Sequence, residues 1–380
     1  MSASNLGDDL RFGFGKNWAD YIEKHFTEQV LEQSRTHLAG FLRMEPLKGL
    51  TFLDIGCGSG LHSLAAWRLG ADQVISFDYD QDSVTTTERI RKGVGSPDNW
   101  TVMQGSVLDR AFLANLPKSD IVYSWGVLHH TGDMWGAVRN AATVMKPDGV
   151  YYIALYSADN YVNPPPEYWL KVKRAYNRAG PLGKRIMEWR YLIRFHILPE
   201  LRAGRLPMQM LGKYDSRGMT FWTDVKDWLG GYPMDFASFT DTQSFGIEDL
   251  GLNLVNVKTG EGCTEYLFCN LAQNSRWSTI NDQRTIKPLQ GPFRHLDGYS
   301  YSCSLPSLKD QSDTVETPRR SQLMLYEDGR MLGLSHSHHS DIVRYGKGRF
   351  SHWAGDVLFA SSDGSDPNTN GKHYTYCEVF

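Results

Sequence analysis

Cysteine is scarce and scattered in this 380-residue chain. Cys57, Cys263, Cys269, Cys303 and Cys377 form no C-x-x-C pair, so neither a disulfide framework nor a thiolate zinc centre has support. Long apolar runs are missing as well, and with them any membrane span; no membrane partner is expected. The first ten residues, Met1 to Leu10, hold two acids and no apolar stretch, which argues against a signal peptide and for a cytoplasmic protein. An excess of one charge is also absent. A formal net charge of −3 removes the basic field of a nonspecific nucleic-acid binder, so nucleic acid is not an expected partner. What remains, 41% hydrophobic and 22% charged residues, is the balance of a globular chain with room for two or three domains.

The richest local pattern is Thr51-Phe-Leu-Asp-Ile-Gly-Cys-Gly-Ser-Gly60, followed by Val74-Ile-Ser-Phe-Asp78. Apolar residues up to Leu53 predict a buried parallel strand. Gly56, Gly58 and Gly60 then let the turn into the next helix bring its backbone against a ligand without Cβ clashes. Asp78, at the end of a second strand, is placed to bind ribose hydroxyls. A dinucleotide fingerprint requires G-x-G-x-x-G, but Leu61 occupies its third glycine position. The pattern is instead D-x-G-x-G-x-G, and a carboxylate at Asp54 disfavours a pyrophosphate while suiting a methionine ammonium. The spacing points to S-adenosylmethionine, with a nicotinamide or flavin site and an unliganded glycine turn as the alternatives.

Strand and helix signals alternate along the next hundred residues. Two helices are expected between Phe14 and Leu42. A short helix then ends at Gly70, and Gln73–Asp78 is a strand. Asp80 or Asp82 caps a helix to about Lys92, and further strands are expected at Trp100–Ser106 and Asp120–Gly126. A helix over about Gly132–Met145 precedes a turn at Lys146–Gly149 and a strand at Val150–Tyr156. Such alternation implies βαβ units and a parallel sheet. A helix at Phe245–Leu252, a strand from Leu254 and a hairpin partner at Thr264–Asn270 close the core after an interruption of some eighty residues, long enough to hold structure of its own.

With these residues in place, the stretch from about 46 to 272 resembles the class I, Rossmann-like methyltransferase superfamily. The resemblance implies an α/β fold: a seven-stranded, mostly parallel sheet with helices on both faces and its final strand antiparallel. It implies cofactor contacts at Asp54, Gly56, Cys57, Gly58 and Gly60, at Asp78 and Tyr79, at Ser106 and Val107 after strand three, and at Ser124 and Trp125 at the end of strand four. The acid common after strand three in the family is replaced here by Ser106, with Asp109 slightly later.

The acceptor is expected beside the loop Trp125-Gly-Val-Leu-His-His-Thr-Gly132. His129 and His130 are the base candidates, since imidazole titrates near neutrality; one of them holding the loop through a backbone carbonyl is the competing reading. His62 is expected to be structural. From Ser157 to Thr220 there are twelve Lys or Arg against five Asp or Glu, interleaved with Tyr161, Tyr168, Trp169, Tyr176, Trp189 and Tyr191. This basic, aromatic insertion suits an acceptor bearing phosphate, carboxylate or sugar, with Trp169 among its contacts; a solvated helix face is equally compatible. Asn163-Pro-Pro-Pro166 is not the signature of amino-methylating nucleic-acid enzymes, because it follows strand five and lacks the aromatic. A second dense patch offers Arg217 for an anion, and Asp227 and Tyr232 for orienting an acceptor, beside the Gly-Gly-Tyr-Pro turn.

Beyond about Asn274 the helical rhythm stops and short strands are expected, with a hairpin across Asp328-Gly329 and a strand from Val357. His336, His338, His339, Asp341 and His352 lack diagnostic metal spacing, and neighbouring histidines in a strand would face opposite ways, so no metal is expected. The run Ser361–Gly371 departs from the EF-hand pattern and is expected to be a loop with side chains bonded to backbone.

The expected organisation is an N-terminal helical cap at 1–45, a core at 46–156 and 240–274, a helical insertion at 157–239, and a small β-rich domain at 285–380. The expected activity is methyl transfer from S-adenosylmethionine to a hydroxyl of a small-molecule or saccharide acceptor. Transfer to nitrogen and a catalytically silent cofactor-binding protein are the alternatives.

Overall fold

A computed structural model describes residues 12–13, 27–202, 204, 221–259 and 262–378. By compactness the chain divides into two units, Met1–Phe236 with Leu267–Asn270, and Ala237–Tyr266 with Leu271–Phe380.

The first unit is built on strands β1 (Thr51–Ile55), β2 (Gln73–Asp78), β3 (Trp100–Gln104), β4 (Ser119–Trp125) and β5 (Met145–Tyr156). The central sheet runs β3-β2-β1-β4-β5-β7-β6, with β6 at Asn253–Lys258 and β7 at Cys263–Cys269. The pairs β1–β2, β2–β3, β1–β4 and β4–β5 are parallel. The order reverses beside β1, so the carboxyl ends of β1 and β4 open a crevice there. The continuous apolar runs of β1, β2, β4 and β5 are buried because helices cover both faces.

Helix α1 (Glu28–Leu42) starts at Thr27, whose hydroxyl accepts from Val30 N–H. α2 (Leu61–Arg68) follows the glycine turn and is closed by Gly70 at φ +86°. α3 (Gln81–Gly93) is capped by Asp80, α4 (Arg110–Ala114) by Asp109, and α5 (Met134–Ala142) by Asp133. One expectation fails in detail. Lys146–Gly149 forms no separate turn: it lies inside β5, where the register slips from Ser119 opposite Met145 to Ile121 opposite Val150. The extra residues are accommodated as an irregularity of the strand, and Lys146 Nζ bonds both carboxylate oxygens of Asp120, at 2.9 and 2.8 Å.

The insertion after β5 is helical, as expected: α6 (Pro166–Arg178), α7 (Pro181–Leu192) continuing through a π turn at Ile193–Ile197 into α8 (Leu198–Arg202), and α9 (Phe221–Gly230). Tyr176, Leu192, Phe221, Val225 and Leu229 form its buried core.

In the second unit the residues after Asn274 begin with a helix, α11 (Ser275–Asp282), following α10 (Phe239–Ser244). This corrects the expectation that helices stop there. Asn274 caps it by accepting from Trp277 N–H at 2.9 Å, and the fully buried Trp277 ring anchors it. Two four-stranded sheets follow, around a shared apolar core that includes Leu325, Phe350, Val357 and Phe359. The expected hairpin is present, with Asp328 at φ +49° and Gly329 at φ +78°, the signs of a type I′ turn. His339 opens a further helix, α12 (His339–Tyr345), so the histidines around it are not strand neighbours. His336 pairs with the buried Asp313 at 2.6 Å, and His352 with Ser321 at 2.8 Å. In the Ser361–Gly371 loop, Asp363 and Asp366 accept from backbone N–H groups two residues on, the side-chain-to-backbone bonding expected of it.

Candidate functional site

The site is built at the carboxyl ends of β1, β2 and β4. Gly56, Gly58 and Gly60 all have positive φ, at +77°, +53° and +78°. A Cβ on Gly56 would stand 2.4 Å from Val127 Cγ1, and one on Gly60 would stand 3.0 Å from Thr87 Cα, so both positions require glycine for backbone and space. Gly56 and Cys57 N–H donate to Phe77 O at 2.8 and 3.1 Å, which ties the turn to the end of β2. Cys57 is buried and receives Thr87 Oγ1 at 3.3 Å.

Two acids flank this turn, Asp54 buried and Asp78 half-buried. Asp54 is held by Ser63 Oγ at 2.5 Å, Ser63 contacts Ser76 at 2.7 Å, and Trp100 Nε1 donates to Ser76 at 2.9 Å. Asp78 accepts from Gly58 N–H and Asp80 N–H, each at 2.9 Å, so it shapes the glycine turn. Burial is the largest influence on both. It pushes Asp54 up to about 7, with Asp78 adding to the rise against the lowering bond from Ser63, and it pushes Asp78 up to about 6 against the backbone bonds. Adjacent acids in this condition favour a cation and hydroxyl donors, the chemistry of a methionine ammonium and a ribose.

The rim carries apolar surface. Tyr79 and Trp125 are exposed at the ends of β2 and β4. Ser124 is buried and donates to Ile55 O at 2.9 Å, joining β4 to β1. Ser106 Oγ accepts from Leu108 N–H at 3.2 Å, and Val107 is buried with its carbonyl bonded to Asn140. Asp109 is committed to capping α4, where it accepts from Ala111 and Phe112 N–H.

After β4 the chain forms a short 3₁₀ turn, Leu128–His130. His130 Nδ1 lies 2.7 Å from Pro233 O. A carbonyl only accepts, so Nδ1 carries the hydrogen and Nε2 is the basic nitrogen of the neutral ring. His129 is fully buried. Neither of its ring nitrogens has a partner among the described residues, and burial, with His130 and Lys173 nearby, holds its pKa well below the usual value. Its ring packs at 4.4 Å from His130 and 4.5 Å from Tyr156.

Around these histidines the first unit gathers aromatic rings that pattern reading did not assemble. Tyr156 lies 5.6 Å from Trp228, Tyr161 stacks on Trp228 at 5.0 Å, and Trp169 meets the same indole at 4.9 Å. Lys173 is buried over the Trp228 ring, and its ammonium donates to Trp228 O. Burial pushes Lys173 down to about 7 while Asp227 pulls it back up. Asp227 therefore acts on Lys173. Tyr232 receives Arg174 Nε at 3.3 Å, and its carbonyl accepts from Phe12 N–H at 3.0 Å. Trp169 is part of the insertion's own packing, and its Nε1 has no partner among the described residues. Arg217 lies outside the described residues. The His62 ring packs tilted against Tyr123 at 5.2 Å. Sequence reading missed Lys173, Tyr156 and Trp228; only the position of Tyr156 at the end of β5 signalled its nearness to the site.

Residues 53–153 match the family model described as a methyltransferase domain. The chain is 31% identical over 120 residues to a ubiquinone biosynthesis O-methyltransferase of Methylobacterium sp. (strain 4-46), covering 32% of this chain and 46% of that protein. It is 33% identical over 106 residues to a tRNA U34 carboxymethyltransferase of Saccharophagus degradans, covering 28% of this chain and 32% of that protein. The chain thus spans less than half the length of these two relatives. A magnesium protoporphyrin IX methyltransferase structure from Synechocystis is similar with a TM-score of 0.41 and 12% identity, covering 70% of this chain and 98% of that one. Residues 53–153 thus form a region similar to the methyltransferase domain, and the glycine turn and both acids lie inside it.

Proposed function

We propose that this protein transfers a methyl group from S-adenosylmethionine to a hydroxyl of a small-molecule or saccharide acceptor. The observation that carries the cofactor half is the glycine turn closed on Asp78, with Asp54 buried beside it. When bound, the cofactor supplies a methyl carbon on a cationic sulfur that departs as a neutral thioether. In this reading Asp54 would meet the ammonium and Asp78 the ribose hydroxyls, with the exposed Tyr79 and Trp125 supplying apolar surface at the rim.

His130 takes the acceptor proton on Nε2, while Pro233 O keeps Nδ1 protonated and the ring fixed. His129 stays neutral and packs behind it. In this reading Asp227 and Tyr232, beside the Gly-Gly-Tyr-Pro turn, help to hold the acceptor, while Trp169 packs within the insertion. Similarity to a protein named as an O-methyltransferase supports oxygen as the receiving atom.

Turnover of methyl-labelled cofactor against a panel of hydroxyl and amine compounds tests this reading. We expect label on a hydroxyl, and a His130→Ala variant with kcat lowered about 10²-fold or more at unchanged cofactor affinity. Label on nitrogen alone would reassign the acceptor, and an unchanged kcat would remove His130 as the base. Cofactor binding with no transfer to any acceptor would leave a silent binding protein.

A further inference from the structure

Helices α7 and α8 and the π turn between them form one continuous rod from Pro181 to Arg202, about 30 Å long. It docks through Glu188 and Leu192, both buried; Glu188 Oε1 accepts from Tyr176 O–H at 2.8 Å. The side adjoining this docked edge is apolar, and its Trp189 ring also meets Trp222 at 5.5 Å. Leu182, Ile186, Trp189, Ile193, Leu198 and Leu201 are between 39% and 76% exposed. The spacings from 182 to 193 are the four, three and four residues that keep side chains on one helix face. At Ile193 an α-helical step would pass the stripe to Ile197, which is half-buried. The wider π turn passes it to Leu198, and a further three residues bring in Leu201.

Charge borders this stripe. On an α-helical projection Arg185 falls on one side of the apolar line, with Arg190 and Arg194 on the other, and all three are exposed. The rod holds five Lys or Arg against two Glu, and one of those, Glu188, is buried. No helix among the described residues is long and apolar enough to cross a membrane, and this rod has a packed side, which fits lying on a surface.

We propose that the rod from Pro181 to Arg202 is a surface-docking element for an anionic lipid bilayer: the Leu, Ile and Trp stripe enters the headgroup boundary and the flanking arginines meet acidic headgroups. The apolar stripe supplies area and the basic border supplies the sign of the partner. Together they favour an anionic, partly apolar surface over an acidic soluble protein. This departs from the expectation of no membrane partner, which rested on the absence of a span.

Co-sedimentation of the full chain with vesicles tests the proposal. We expect binding to phosphatidylcholine vesicles containing about a quarter phosphatidylglycerol, little binding to pure phosphatidylcholine, and loss at about 0.5 M salt. Ile186→Glu with Ile193→Glu, and separately Arg190→Glu with Arg194→Glu, should each weaken vesicle affinity about tenfold or more. Both variants should retain wild-type S-adenosylhomocysteine affinity, which reports a folded first unit. Absent vesicle binding, equal binding to neutral vesicles, or folded variants that bind like wild type would overturn it. So would sedimentation-velocity runs showing a dimer that the Ile186→Glu, Ile193→Glu variant abolishes, since a second copy would then cover the stripe.

Discussion

Asp54 and Asp78 hold the most consequence per side chain in this protein. Both stand near acids, and burial raises both, to about 7 and about 6. The sign of the resulting pH dependence follows directly. An acid whose folded pKa is raised keeps its proton after the unfolded chain has lost it, so these two groups destabilise the unliganded fold as pH climbs from about 4 to about 7. A cationic ammonium and donating hydroxyls prefer the ionised carboxylates, so cofactor affinity should rise from about pH 5 to about pH 8 and flatten above. Calorimetry in buffers of different ionisation enthalpy should show proton release on binding. A flat or falling affinity across that window would remove the paired-acid account. Both residues were legible in the sequence because the D-x-G-x-G-x-G spacing and the acid at the next strand end are local patterns. Their supports were not, since Ser63, Ser76 and Trp100 come from three different elements.

At the scale of elements, that hidden chain cross-links the sheet. Trp100 on β3 donates to Ser76 on β2, which contacts Ser63 on α2, which donates to Asp54 on β1. Trp100→Phe preserves most of the ring volume and removes the indole donor, leaving a buried hydroxyl short of a partner. It should cost about 1–3 kcal/mol in urea unfolding, and unchanged stability would show that the bond contributes nothing net. The strand and helix sequence of the core was readable from apolar runs, caps and Gly70. The histidine loop was readable only in part: its place after β4 follows from the order of elements, but Pro233 lies 103 residues from His130, and Lys173 reaches His129 from the insertion. Contacts between distant segments leave no periodicity to read. The helix Ser275–Asp282 was overlooked because its polar residues outweigh its periodicity, although Asn274 and the buried Trp277 mark its start and its anchor.

For the molecule as a whole, the division of labour is clearest in the first unit, where a cofactor crevice, a histidine loop and an aromatic insertion converge. The proposed donor side is written in short motifs from Asp54 to Asp78, whereas the proposed acceptor side draws on the described helices of the insertion, and Arg217 lies outside the described residues. The second unit carries its own apolar core and paired histidines, and its sheets were anticipated from hairpin chemistry more than from any functional motif. We propose that the glycine turn and Asp78 hold S-adenosylmethionine. Calorimetric titration of the full chain with S-adenosylhomocysteine tests it most directly, comparing wild type with Asp78→Ala checked for retained fold by circular dichroism. One site in the wild type, weakened about a hundredfold or more in the variant, is the predicted result; equal affinity in the two proteins, or no binding to the wild type, would contradict it.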